Sequence, residues 1–390
     1  MRETLRRHPL PCIVLAQLFG TSLWFSVNGV WLPLSQEMGW AQSQLGALTL
    51  AVQSGFIIGT LLFAVTGLAD RFSASHIFAL ASALGCLMNA AFVMSAEYYG
   101  PGLLLRFATG LCLAGIYPLG MKLVITWTPR HAGASLAWLV GMLTLGTALP
   151  HLMRGASLGL PWEWTLLGSS ALALCGGAIV LALGDGPHLP KNTGRIPLRH
   201  GLAAVQIPRF RAVAGAYFGH TWELYAMWML VPLLVEREIS RLGLDNGWVS
   251  WLAFAIIGIG AAGCVGGGLL SRIMGSEWVA RWALRLSGLT CLLYPWLEGL
   301  PPFLLIVILF IWGLCVIADS PQFSALAAQA APSKYVGSSL AVMNAVGFAL
   351  TLPAIWLTAS LWNSWGVWVT LLLLPGPVLG LWSLGSAQKN

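Results

Sequence analysis

The sequence predicts an all-α membrane protein whose twelve transmembrane helices form two parallel six-helix halves. Three observations carry this. The 390 residues are 57% hydrophobic and only 8% charged, against roughly 25% charged in a typical soluble domain, and the mean hydropathy is +0.79. Apolar runs near the ~20 residues that span a bilayer recur from end to end. Short patterns in the first half return, in the same order, in the second. A soluble chain of this length could not cover its surface with so few charges.

Taken in order, the first run covers 10–33 and follows Met1-Arg-Glu-Thr-Leu-Arg-Arg-His8. That opening looks like a signal peptide. The run is too long for the apolar core of one and eleven more runs follow, so it reads as an uncleaved first helix. Runs at 44–65, 77–95, 102–125, 134–153 and 163–183 complete the first half, residues 1–185. The stretch 186–209 is Pro/Gly-rich and basic, and it reads as a cytoplasmic linker. The second half, 210–390, carries runs at 211–234, 248–270, 279–297, 302–325, 337–358 and 366–384.

The internal echo is specific. Gly110-Leu-Cys-Leu-Ala-Gly-Ile-Tyr-Pro118 in the fourth run returns as Gly313-Leu-Cys-Val-Ile-Ala-Asp-Ser-Pro321 in the tenth. Phe19-Gly20 precedes Pro33 by the same interval that separates Phe218-Gly219 from Pro232. Gly67-Leu-Ala-Asp-Arg71 matches Gly268-Leu-Leu-Ser-Arg272, and Gly133-Ala-Ser-Leu-Ala137 matches Gly337-Ser-Ser-Leu-Ala341. The offsets run 199, 201, 203 and 204, a drift that needs only single-residue changes in loops. The chain is therefore a tandem duplication. An even number of runs per unit makes the two repeats parallel.

The formal charge of +7 is topological. With the N-terminus inside, fifteen Lys and Arg fall in inward breaks and only Arg154, Arg237 and Arg241 in outward ones. That asymmetry is the positive-inside pattern, and it puts both termini in the cytoplasm. No basic patch for nucleic acid is implied. All seven cysteines lie in apolar runs at unrelated spacings, so neither a metal site nor a disulfide framework is expected. No phosphate-binding loop, catalytic nucleophile or cofactor motif appears, so no enzyme and no ATP-driven pump is expected. The many Trp crowd the ends of runs, for example Trp162, Trp164 and Trp365, as interfacial belts do.

Two parallel six-helix repeats resemble the major facilitator superfamily over the whole chain. Asp70-Arg71, between the second and third runs, resembles the superfamily's first signature loop, and Arg272 stands at the corresponding place in the second half. Arg106-Phe-Ala-Thr-Gly110 resembles its fourth-helix signature, whose Arg the resemblance associates with proton coupling. Thr66 stands where that loop carries Gly, and Ser73-Ala-Ser75 replaces its basic pair. The resemblance implies that runs 1, 4, 7 and 10 line a central cavity. It also implies that the glycines of runs 2 and 8 lie where the halves meet. Gly55-x-x-x-Gly59 and Gly258, Gly260, Gly263, Gly266, Gly267 and Gly268 then serve either as sliding surfaces or as plain close packing.

Ionisable groups inside hydrocarbon need a reason. Those well inside the runs are Arg106, His220, Glu223 and Asp319, on runs 4, 7 and 10. Glu223 falls near the middle of run 7 with His220 one turn away on the same face, flanked by Tyr217 and Met227. A buried carboxylate beside an imidazole suits taking up and releasing a proton. A structural pair is the other reading. Asp319 lies nearer the cytoplasm, as part of an inner gate or reaching interfacial water. Arg106, close to the outer end of run 4, either snorkels or supports coupling. In run 1, Gln17, Thr21, Trp24 and Asn28 form one helical stripe, either a cavity wall or a set of interhelical hydrogen bonds. Tyr117 shares the face of Arg106, while His151 and Arg154 close run 5 at the outer interface.

Together these features predict a proton-coupled secondary transporter in a bacterial inner membrane, working by alternating access as a monomer on a small organic solute. Its expected partners are that solute, protons and the lipid bilayer, with no cofactor. Efflux of amphiphilic compounds is the alternative within transport. A non-transporting receptor with a transporter fold is the alternative of another class.

Overall fold

The computed structural model describes residues 2–129, 132–188, 198–332 and 336–386. Among them there is no strand, and each of the twelve predicted runs lies on helical backbone. Among the described residues, eight helices are long and apolar enough to cross a membrane; the last of these, Val336–Ser386, contains both final runs. Pro208–Leu242 and Ser276–Leu293 occupy runs 7 and 9 but are more polar. The former carries His220 and Glu223, the latter Glu277, Arg281 and Arg285. Much of the predicted linker (189–197) falls outside the described residues, as do Arg130 and Lys334.

The chain divides into two compact units. One comprises Met1–Asn192 with Gly247–Phe254, the other Thr193–Asn246 with Ala255–Asn390. The first turns of run 8 thus cluster with the first unit, which the repeat does not anticipate.

Inside each unit the duplicated glycines serve the same purpose. A Cβ on Gly110 would overlap the carbonyl of Val52, and one on Gly55 would overlap that of Phe107, so the helices Gln42–Thr66 and Tyr99–Leu113 meet backbone to backbone. In the second unit Gly313 meets the carbonyl of Ile256, and Gly263 that of Leu314. Close packing within a unit therefore accounts for Gly55, Gly59, Gly263 and Gly267. Gly266 faces open space.

The echo also has a conformational meaning. Run 4 is two helices, Tyr99–Leu113 and Tyr117–Trp127, and run 10 is likewise Pro302–Cys315 and Ser320–Ala330. Pro118 and Pro321 each stand in the first turn of the second piece. Proline has no N–H to give the preceding turn, and its ring clashes with the carbonyl four residues back. The break is bridged by tighter 3₁₀ bonds, Ile116 N–H to Leu113 O at 3.0 Å and Ser320 N–H to Ile317 O at 3.1 Å. Run 1 is broken as well, into Pro9–Thr21, Ser26–Gly29 and Trp31–Met38. Its counterpart, run 7, is one continuous helix of 35 residues, Pro208–Leu242, despite Pro232. At 1.5 Å per residue it is ~50 Å long, well beyond a ~30 Å hydrocarbon core. The predicted outward break therefore starts eight residues later than run 7's expected end at 234.

Candidate functional site

In the first unit the polar residues gather around the break in run 1. Thr21, Ser22 and Ser26 turn their hydroxyls back onto the carbonyls of Gln17 (2.8 Å), Phe19 (2.7 Å) and Leu23 (3.1 Å). Such bonds give the local backbone partners other than the helix ladder. The carbonyls of Leu23 and Trp24, freed by the break, are taken by Arg106. Its Nη1 donates to Leu23 O at 3.1 Å and its Nη2 to Trp24 O at 2.5 Å. Nη1 also donates to Ser26 Oγ and to Asn89 Oδ1, both at 3.0 Å. Asn89 accepts from Ser26 Oγ at 2.6 Å and donates to Leu166 O and Ser170 Oγ, each at 3.0 Å. The guanidinium thus ties runs 1, 3 and 4 together, and Asn89 extends the network to run 6. Arg106 is only 1% exposed, so it does not snorkel.

The run 1 stripe is spent largely on neighbouring helices. Trp24 Nε1 donates to Gln53 Oε1 at 3.1 Å and Asn28 Nδ2 to Thr49 Oγ1 at 3.1 Å, both on Gln42–Thr66. Trp24 also packs at a tilt against Phe56 (centroids 4.6 Å apart), which in turn lies beside Tyr117. Gln17 differs. Its amide is fully buried over Gly120, and neither Nε2 nor Oε1 has a partner among the described residues.

The second unit holds an acidic counterpart. Glu223 is 1% exposed. Its Oε1 accepts from Trp312 Nε1 at 2.6 Å and from Cys291 Sγ at 3.3 Å, and its Oε2 accepts from Ser287 Oγ at 3.0 Å. No cation pairs with it among the described residues. The expected His220–Glu223 pair is replaced by a different one: His220 Nδ1 lies 2.8 Å from Asp319 Oδ1, both groups buried. Asp319 is buried away from interfacial water, and among the described residues no Arg or Lys pairs with it. It occupies the N-cap of Ser320–Ala330, where the positive end of a helix favours a carboxylate. Tyr217 and Phe323 flank the imidazole, with centroids 6.0 and 5.8 Å away. Met227 is packed in the core. Runs 1, 3 and 4 of one unit thus surround a buried cation, and runs 7, 9 and 10 of the other a buried acid.

Several groups lie elsewhere than expected, or went unforeseen. His151 is buried rather than interfacial, and its Nε2 is unpartnered among the described residues. Arg154, by contrast, bonds Leu160 O at the helix end. Arg71 and Arg272 are exposed, and the side chain of Asp70 lies outside the described residues. Lys122, on the inner piece of run 4, donates to the carbonyl of Ala69 in the 67–71 turn. Glu238 was hidden by the early end assigned to run 7. It is fully buried between Arg237 and Arg241, at 2.6 Å from each. Asn89, Ser287, Cys291 and Trp312 gave little sign in the sequence, because single small polar groups and a Trp in apolar runs are ordinary packing residues. An isolated Asn inside run 3 was the one usable signal.

No curated protein matches the chain. Among solved structures it is similar to a bacterial homolog of the human lysosomal transporter Spinster, crystallised in an inward-facing and unoccupied conformation. The TM-score is 0.69 at 15% identity, covering 98% of this chain and 95% of that one. At that identity the likeness concerns the fold. The family model described as Major Facilitator Superfamily matches residues 13–354, and the chain belongs to that family.

Proposed function

We propose that the protein is a proton-coupled secondary transporter that moves a small organic solute by alternating access, with Glu223 as its principal proton site. The observation that carries this is the partner set of Glu223. Ionised, it accepts three bonds from Trp312, Ser287 and Cys291. Protonated on Oε2, it donates to Ser287 Oγ, whose own proton can turn to the Leu284 carbonyl 3.4 Å away. A hydroxyl both gives and takes hydrogen bonds, so neither state leaves a buried polar group stranded. A carboxylate held only as a structural anion would be expected beside a cation, because an unpaired buried charge is costly.

His220 and Asp319 provide a second place for a proton one turn along run 7, on the half-helix end of run 10. In the other unit Arg106 holds the break in run 1. Discontinuous helices near the middle of the membrane are common where transporters bind solutes and ions.

The test is flux in proteoliposomes under an imposed pH gradient. A carrier moving one proton per solute sustains about a tenfold solute gradient per pH unit, since one unit is ~1.4 kcal/mol. Glu223→Gln keeps the size of the side chain and its acceptor towards Trp312, yet carries no proton. It is expected to equilibrate the solute without concentrating it. Undiminished pH-driven accumulation by this variant would exclude Glu223 as the coupling site.

A further inference from the structure

A cavity of about 390 Å³ opens at the end of the first unit where the N-terminal helix, the 67–73 turn and the end of run 6 meet. That volume is within the ~300–1,000 Å³ typical of small-ligand sites. Its polar lining is Arg6, Ser73, Ser75, His76 and Asp185. Among the described residues neither the Arg6 guanidinium nor the His76 imidazole has a hydrogen-bond or ion-pair partner. Ser73 and Ser75 bond each other at 2.9 Å, which leaves one hydroxyl proton to donate. Asp185 uses Oδ1 to accept the Ser75 amide at 2.8 Å and keeps Oδ2 for something else. Cation and hydroxyl donors thus share one cavity with a half-used carboxylate. A ligand that satisfies all of them carries an oxyanion, such as a phosphate, and an ammonium together.

The walls say where such a group comes from. Leu181 lines the cavity and begins an exposed apolar stripe, Leu181, Leu174 and Leu167, at seven-residue spacing along Glu163–Leu183. Ala74–Ser95, which begins at the cavity, exposes Leu80, Leu84 and Leu87 on one face. Two apolar tracks therefore lead from a polar cavity along membrane-spanning helices. A soluble phosphoamine would have no use for them, whereas the chains of a lipid would. Basic pockets between helices at the membrane surface are a recurring means of holding lipid headgroups.

We propose that this cavity seats the headgroup of an aminophospholipid, with its phosphodiester on Arg6 and the one free hydroxyl proton of the Ser73–Ser75 pair, and its primary ammonium on Asp185. The acyl chains lie along the two leucine tracks.

The test uses the full chain purified in detergent. It is mixed with micelles containing phosphatidylethanolamine, phosphatidylcholine or phosphatidylglycerol, or with soluble phosphoethanolamine, and both retained lipid and melting temperature are measured. Phosphatidylethanolamine is expected to be retained about two- to fivefold over phosphatidylglycerol, the ratio that one partly exposed ion pair sustains. Phosphatidylcholine, whose ammonium has no N–H, is expected to fall between. Asp185→Asn keeps an acceptor for the Ser75 amide and so leaves the fold intact, but it should abolish the preference for the amine. Arg6→Gln, at an exposed position, should lower retention of phosphatidylethanolamine and phosphatidylglycerol alike. Equal retention of all three lipids, or wild-type behaviour of either variant, overturns the proposal. Equal stabilisation by phosphoethanolamine alone assigns the cavity to a soluble solute and overturns it too.

Discussion

Replacing Arg106 tests whether its guanidinium holds the first unit together. Arg106→Met keeps most of the apolar stem and removes every donor. The one proton of Ser26 stays on Asn89 at 2.6 Å in preference to the Leu23 carbonyl at 3.1 Å, so the groups stranded are the carbonyls of Leu23 and Trp24. These lie in the break of run 1, where no helix ladder replaces the lost donors. At ~1–3 kcal/mol for each stranded buried acceptor the loss is about 2–6 kcal/mol. Removing a buried charge that has no carboxylate partner offsets part of it. A net ~2–4 kcal/mol is a large share of the 5–15 kcal/mol that stabilises most folded domains. For a unit of nearly 200 residues, this corresponds to a melting temperature roughly 5–15 °C lower. Arg106→Lys offers three donors at a single point and cannot span both carbonyls and Asn89, so it should fall between. The assay is thermal unfolding of the purified protein followed by tryptophan emission. If Arg106→Met melts within about a degree of wild type, the guanidinium does not hold the break and the reasoning fails.

Two further predictions concern packing and charge. Gly313→Ala drives a Cβ into the Ile256 carbonyl, a backbone atom with no room to yield, and should cost ~1–3 kcal/mol or more. Gly266→Ala enters open space and gains helix propensity, so it should be neutral or slightly stabilising; equal melting temperatures would refute the packing assignment. Glu277 accepts from Arg281 at 2.7 and 3.0 Å and pairs with Arg209. Burial acts to raise its carboxyl, but bonds and charges from Arg209 and Arg281 outweigh that and hold it below the ordinary value. Its stabilisation is therefore present above about pH 4.3 and lost as pH falls through the lowered value. The stabilities of wild type and Glu277→Gln, read from their melting temperatures, should differ at pH 6 by no more than ~1 kcal/mol and converge under acid. A difference that persists or grows below pH 4 would contradict the assignment.

The architecture was legible because it follows from averages. Hydropathy over ~20 residues marks a span whatever its neighbours are, and the recurrence of Gly110–Pro118 at Gly313–Pro321 needs no structure to be seen. The ionisable residues were legible for the same reason, since Arg106, His220, Glu223 and Asp319 stand out against an apolar background. Their partners were not. His220 and Glu223 share a helix face, but helix periodicity says only which side a residue takes. It does not say that Asp319, 99 positions later, would reach the imidazole while Trp312 reached the carboxylate. His151 looked interfacial because it stands near the end of a run, and depth along a helix carries no information about lateral burial.

By itself, the sequence determined that this chain is helical, lies in a membrane, is duplicated and carries a few costly charges. Each of these is a property of composition or of spacing along one chain. The tertiary structure alone decided that the prolines of the echo break runs 4 and 10, while Pro232 leaves run 7 whole. It alone decided that Arg106 supports backbone carbonyls and that Glu223 sits among three donors with no cation among the described residues. The physical reason is that buried polar groups must be satisfied by whatever atoms packing brings within about 3 Å. Those atoms lie on other helices, far away in the sequence.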